Sequence, residues 1–251
     1  MGFRIKLLLA YDGTRYCGWQ IQPNQPTVQQ SVELALRKVT GENIAVTASG
    51  RTDSGVHARG QVCHFDISSG SIPPEKFSLA LNRFLPGDIR ILESGETDMS
   101  FHARYSAISR EYRYYLMRAR ISDPFAGPFV YAHSRIPPLP RLDEYASVLI
   151  GQHDFTTFSA AGDVSESKTR HVYAASFFPE KDRIVFRIVG NAFLWRMVRS
   201  ITGTIMELGR LDAPAERLRD LIEARDRSMA GPTAPAKGLF LHKVVYDARY
   251  S

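Results

Sequence analysis

The feature that most narrows what this chain can fold into is a change of hydrophobic period that recurs twice in the same order. Phe3 to Ala10 alternates as a strand. Thr27 to Val39 then places Val28, Val32, Leu36 and Val39 on one helical face, with Thr27 as its N-cap. Ile44 to Ser49 and Gln61 to Ile67 return to strand patterning, Pro74 to Phe84 reads as a helix opened by an early proline, and Asp88 to Glu96 as a strand. The order restarts with a strand from Glu111 to Arg118. Pro137, Pro138 and Pro140 then lead into a helix from Leu142 to Ile150. His171 to Phe178 and Arg183 to Val189 form a hairpin turning at Glu180 to Asp182, followed by a helix from Ala192 to Leu208. A polar helix around Ala215 to Arg225 and a strand from Leu241 to Tyr246 close the series.

Strand, helix, strand, strand, helix, strand is the split βαβ unit. The pattern predicts an α+β fold of two ferredoxin-like halves, residues 1–105 and 106–251, although the halves do not visibly repeat in sequence. Such a unit sets both helices on one side of an antiparallel sheet and leaves the other side open. Two of them edge to edge would make a long, mostly antiparallel sheet with a concave face able to hold a nucleic-acid helix. The pattern equally allows two packed halves with no such role.

At 251 residues, 44% of them hydrophobic, the chain can bury a sizeable core. Its 32 basic and 26 acidic residues leave a net charge of +6, which points to a polyanionic partner only where the basic residues cluster. They do so at Arg104, Arg110, Arg113, Arg118 and Arg120, and again at Arg196, Arg199 and Arg210. The planar fork of arginine suits phosphate, but solvated strand and helix faces would look the same. Cys17 and Cys63 form neither a metal-ligand spacing nor a disulfide framework, and no histidine pair completes a zinc motif. No metal or organic cofactor is expected. The apolar stretch Leu7–Ala10 ends at Tyr11 and Asp12, too short for a signal peptide, and no run is long enough to span a membrane. A cytoplasmic protein is expected.

The chemistry is concentrated in GRTDSGVHARGQVCHF, Gly50 to Phe65. Gly50 and Gly55 bracket a tight loop where backbone freedom is expected, and the loop displays Asp53 between Arg51 and Arg59. Positive charge nearby favours an ionised carboxylate, which a nucleophile requires. Spacing alone leaves a second reading open, in which Asp53 caps its own turn and Arg51 is a surface ion pair.

GRTDSGVHA closely resembles the signature of the tRNA pseudouridine synthase A family, including its nucleophilic aspartate. The likeness runs through the chain in the family's order. It includes YDGTRYCGWQIQP from Tyr11, GQVCHF, LNRFLPGDI from Leu81, and FHARYSA from Phe101. SREYRYYL from Ser109, NAFLWRMVRSITG from Asn191 and APAKGLFLHKVVY from Ala234 complete it. Two departures stand out. Ser54 replaces a more usual alanine, and Trp195-Arg196 stands where an aromatic and a histidine are more usual.

The resemblance implies a catalytic Asp53, acting at the anomeric carbon, as a base on a ribose proton, or by addition to the uracil ring. It implies Tyr112 as the residue stacking on a flipped uracil, and Arg199 as the partner of the catalytic carboxylate. Arg51 and Arg59 would contact the flipped nucleotide or its phosphates. His57, His64 and His102 are expected in structural or RNA contacts, and Tyr114 and Tyr115 in the core. The resemblance further implies a homodimer acting on uridines 38, 39 and 40 of the tRNA anticodon arm. A non-catalytic RNA-binding protein explains charge and architecture, but not an aspartate set between arginines, where it would repel phosphate. A carboxylate glycoside or nucleoside hydrolase would want a second carboxylate, and this region offers only Asp66.

Overall fold

The computed structural model describes residues 2–68, 72–119 and 123–250, so Arg120 of the basic cluster lies outside the described residues. The first run of elements is β1 (Phe3–Tyr11), α1 (Val28–Thr40), β2 (Thr47–Ala48), β3 (His57–Ile67), α2 (Phe77–Asn82) and β4 (Ile89–Thr97). The second begins with β5 (Ala107–Arg118), β6 (Tyr131–His133), α3 (Leu139–Val148), β7 (Gly151–Asp154), β8 (Thr169–Glu180) and β9 (Arg183–Gly190). It ends with α4 (Met197–Arg210), α5 (Glu216–Ala224) and β10 (Leu239–Tyr246). The strands are mostly antiparallel and the fold is α+β, as the sequence pattern predicts. Two compact units form, Met1–Ile108 with Phe240–Ser251, and Ser109–Leu239.

In the first unit β3 is the hub. It pairs antiparallel with β1 and β2, while β4 adds to the far side of β1. β10 runs parallel to β3 through Phe240↔His57 and Leu241↔Ala58, so the last strand joins the unit built mainly from the chain's start. Strict alternation makes β1 a one-faced strand: Ile5, Leu7, Leu9 and Tyr11 are buried, and the residues between them are half-exposed. Val28, Val32, Ala35 and Leu36 supply the buried stripe of α1, and Phe77 of α2 meets Phe65 of β3 edge-on at 5.3 Å. The Thr27 side chain accepts from the Gln30 N–H, and Gly41 ends α1 at φ 78°. The helix expected over 74–84 is shorter. Pro74–Lys76 form a 3₁₀ turn after Pro73, and the Asn82 side chain exchanges two hydrogen bonds with the Ile91 backbone.

In the second unit the order is β5-β9-β8-β7, all antiparallel, with β6 parallel to β5. The β8–β9 hairpin turns through Lys181 at φ 57°, where the sequence places it. α3 starts three residues before the expected Leu142, because Pro140 sits in the first turn, where a missing N–H is harmless. The larger difference is α4, which begins at Met197 and not at Ala192. Asn191 folds its side chain back to accept from the N–H groups of His171 and Ala192, and Arg196 takes a left-handed φ of 61° that no α-helix continues. From Met197 on, the helix is buried almost all round. Thr202 and Thr204 satisfy their hydroxyls on the Val198 and Ser200 carbonyls, and a Cβ at Gly203 would stand 1.7 Å from the Pro232 carbonyl oxygen.

Candidate active site

Asp53 opens a four-residue turn. The Val56 N–H donates to the Asp53 carbonyl at 3.1 Å, and Gly55 sits third in the turn at φ 74°, a position that demands glycine. The base of the loop is closed by the fully buried Gln61. Its side chain accepts from the Ser49 hydroxyl at 2.6 Å and donates to the Gly50 carbonyl at 2.9 Å. Gly50 needs no special freedom, contrary to expectation: it has no positive φ, and a Cβ there would meet nothing within 4 Å. Asp53 is half-buried and Arg51 exposed.

A strap from Tyr11 to Trp19 grips this turn from both sides. The Trp19 N–H donates to the Thr52 carbonyl at 3.1 Å, and the Gly55 N–H donates to the Tyr16 carbonyl at 3.2 Å. The buried hydroxyls of Tyr11 and Thr52 hydrogen-bond at 2.8 Å. Two glycines make the fit possible. A Cβ at Gly18, which has φ 89°, would stand 2.5 Å from the Thr52 carbonyl oxygen; one at Gly13 would stand 2.0 Å from that of Val56. The strap is anchored in turn by the Gly18 and Trp19 carbonyls, which accept the N–H groups of Val28 and Gln29 in the first turn of α1. It is also tied by the Tyr16 hydroxyl, which donates to Asp88 at 2.7 Å. Burial pushes the Tyr16 phenol well above its usual range, and the Asp88 carboxylate adds to the rise.

His57, where β3 starts, completes the frame. The Gly13 N–H donates to its Nδ1 at 3.1 Å, and an Asp12 carboxylate oxygen stands 3.1 Å from the same atom. The buried imidazole stacks on Phe240 at 4.5 Å, and the exposed Arg59 lays its guanidinium over the same ring at 5.7 Å. His64 is structural too. Its Nδ1 accepts from the Ala103 N–H at 3.2 Å. Burial, aided by the charges of Arg4 and His102, lowers its pKa to about 4.

The second unit carries Tyr112 and Arg199. Tyr112 pairs with Ile188 in the β5–β9 register, and Phe193 meets its half-buried ring edge-on at 5.1 Å. Arg110 ties the same turn to β5 by donating to the Asn191 carbonyl at 2.6 Å. Arg199 is half-buried; its Nε donates to the Ala234 carbonyl at 2.9 Å, and the Ala234 N–H returns a bond to the Arg199 carbonyl at 3.1 Å. Tyr114 and Tyr115 are core residues, as expected. The Tyr114 hydroxyl donates to the Pro235 carbonyl at 2.7 Å, and burial drives its pKa well up despite the charge of Arg199.

Sequence reasoning named Asp53, Tyr112 and Arg199 as site residues but did not name the residues packed around them: Tyr11, Gly13, Gly18 and Trp19 at the Asp53 turn, and Phe193 beside Tyr112. The signal was there in YDGTRYCGWQ, whose two glycines have no helix or strand to explain them. Among the described residues no three His, Cys, Asp or Glu side chains are grouped to hold a metal, and no helix is long and apolar enough to cross a membrane.

Residues 8–106 and 145–247 match the sequence profile of tRNA pseudouridine synthases, and the chain belongs to that family. Among its relatives, the tRNA pseudouridine synthase A of Brevibacillus brevis is 46% identical over 244 residues, covering 97% of this chain and 99% of the relative. That of Treponema denticola is 43% identical over 247 residues, covering 96% and 92%. That of Anoxybacillus flavithermus is 44% identical over 245 residues, covering 97% and 99%.

Proposed function

We propose that this isomerase converts uridine to pseudouridine at positions 38, 39 and 40 in the anticodon stem-loop of tRNA, with Asp53 as its nucleophile. The observation that supports this reading is a carboxylate on a turn gripped by backbone from both sides, in a chain matched almost end to end by tRNA pseudouridine synthases. A carboxylate fixed in this way needs little rearrangement to meet a base delivered to it.

The target base leaves its stack to reach Asp53, and Tyr112 offsets part of that cost. Stacking of a base on an aromatic ring contributes about 1–3 kcal/mol. Phe193 braces the Tyr112 ring for this task. Arg199 acts with the Asp53 carboxylate, and Arg51 and Arg59 contact the nucleotide or its phosphates. In the reaction the bond from ribose C1′ to uracil N1 breaks, the ring turns, and C1′ bonds to C5. C5 gives up a proton and N1 gains one, so the product is an isomer and no oxidant or reductant is consumed. Attack at C1′, removal of a ribose proton and addition to the ring each use Asp53 in its ionised form. On the family resemblance we also propose a cytoplasmic homodimer.

The test uses three unmodified tRNA transcripts, each with a single uridine among positions 38, 39 and 40. Pseudouridine is mapped by carbodiimide labelling and primer extension. A stop at the uridine of each transcript supports the site assignment. Stops elsewhere in the tRNA, with none at these positions, would overturn it while leaving the isomerase class intact.

A further inference from the structure

Trp195 and Arg196, just ahead of α4, play no part in the chemistry above, yet the fold holds them with care. Trp195 is 45% exposed, against 3% for Trp19, the other tryptophan. Arg196 is exposed, and its φ of 61° is an unfavourable conformation for a residue with a Cβ. Its guanidinium lies over the Trp195 ring, 5.1 Å from the centroid.

An exposed indole ordinarily gains little from being fixed. Here its backbone is clamped on both sides. The Trp195 N–H donates to one oxygen of Asp163 at 2.6 Å, and its carbonyl accepts from the Ala160 N–H at 2.9 Å. The other Asp163 oxygen takes the Lys168 ammonium at 2.7 Å and the Ser165 N–H at 2.8 Å, with the Asp163 side chain only 5% exposed. Gly162 lies against the ring, where a Cβ would come within 2.9 Å of the indole. The first turn of α4 has no acidic residue and no side-chain cap, while Arg196 and Arg199 bring positive charge to its positive dipole end. That arrangement favours an anion.

We propose that Trp195 and Arg196 form a nucleotide-binding corner, in which Trp195 stacks on an unpaired base of the tRNA and Arg196 pairs with an adjoining phosphate. This rests on the tRNA reading above. The base must be unpaired, because a base inside a stem already has both faces stacked, whereas loop bases can splay onto an aromatic ring.

The test titrates wild type, Trp195→Ala, Trp195→Phe and Arg196→Ala with an unmodified tRNA transcript at several salt concentrations, and follows pseudouridine formation in parallel. With Trp19 buried, Trp195 should dominate quenching by acrylamide. Added tRNA should quench its emission and shield it from acrylamide, and Trp195→Phe should abolish both responses. Trp195→Ala should weaken binding roughly ten-fold, the order expected for one lost stack, with Trp195→Phe restoring most of it. Arg196→Ala should lower the slope of log affinity against log salt by about one. Unmoved Trp195 emission on tRNA binding, or alanine variants that bind with wild-type affinity and salt slope, would overturn the inference. Pseudouridine formation by wild type in the same samples reports separately on the activity.

Discussion

Gly13→Ala probes how the Asp53 turn is held without touching the carboxylate. The added Cβ would lie 2.0 Å from the Val56 carbonyl oxygen and 2.7 Å from its carbon, both backbone atoms that no rotamer can move. Non-bonded heavy atoms sit at about 3.5–4.0 Å, so strap and turn must separate by more than ~1 Å. The Gly13 N–H bond to His57 would stretch with it, and a buried polar group left unpaired costs about 1–3 kcal/mol. Val56 closes the turn on the Asp53 carbonyl, so the shift reaches the carboxylate. A displacement of ~1 Å at a reacting group costs on the order of 100-fold in rate. Single-turnover pseudouridine formation with tRNA prebound should therefore fall about 100-fold, with a lowered Tm and tRNA affinity within a few-fold of wild type. Gly50→Ala, which adds a Cβ to open space in the same loop, is the control and should behave like wild type. A Gly13→Ala enzyme with wild-type rate and Tm would refute the claim that the strap positions the nucleophile.

His64 should make the protein acid-sensitive. Its folded pKa of about 4 lies below the ordinary 6.5, so the unfolded chain takes up the proton first. Stability from this group is full above pH 6.5 and is lost as pH falls toward 4, by up to about 3 kcal/mol. Urea denaturation of wild type and His64→Asn at pH 7 and pH 4.5 should show a smaller acid loss in the variant; equal losses would assign the effect elsewhere. Tyr114→Phe removes the donor to the Pro235 carbonyl from a fully buried site and should cost about 1 kcal/mol by urea denaturation. No measurable change would mean that this bond does not hold the Pro235 segment.

The parts of the fold legible in advance are those whose burial follows their own period. β1 alternates cleanly, α1 has a single apolar stripe and a threonine cap, and the β8–β9 hairpin turns at its polar tip. The start of α4 was not legible. Its apolar pattern runs back to Phe193, but Asp163 and His171, distant in sequence, draw residues 191–195 into hydrogen bonds that a helix would break. β6 and β7 are too short to show a period. At the site, the Asp53 turn could be read from its motif, since Gly55 marks a turn by itself. The demand on Gly13 and Gly18 showed only as two glycines outside any patterned helix or strand, because the backbone oxygens that impose it lie across space. The sequence assigns Arg59 to the nucleotide or its phosphates and gives no sign of the ring beneath it, which belongs to Phe240 in the last strand.

The most direct test of the central claim is pseudouridine formation by Asp53→Ala under single-turnover conditions, with tRNA held above the Kd measured for each protein. The account predicts that wild type modifies the anticodon arm to completion, and that the variant binds the same tRNA and forms no pseudouridine. A variant that still forms pseudouridine at a rate near wild type would contradict the assignment of Asp53 as the nucleophile.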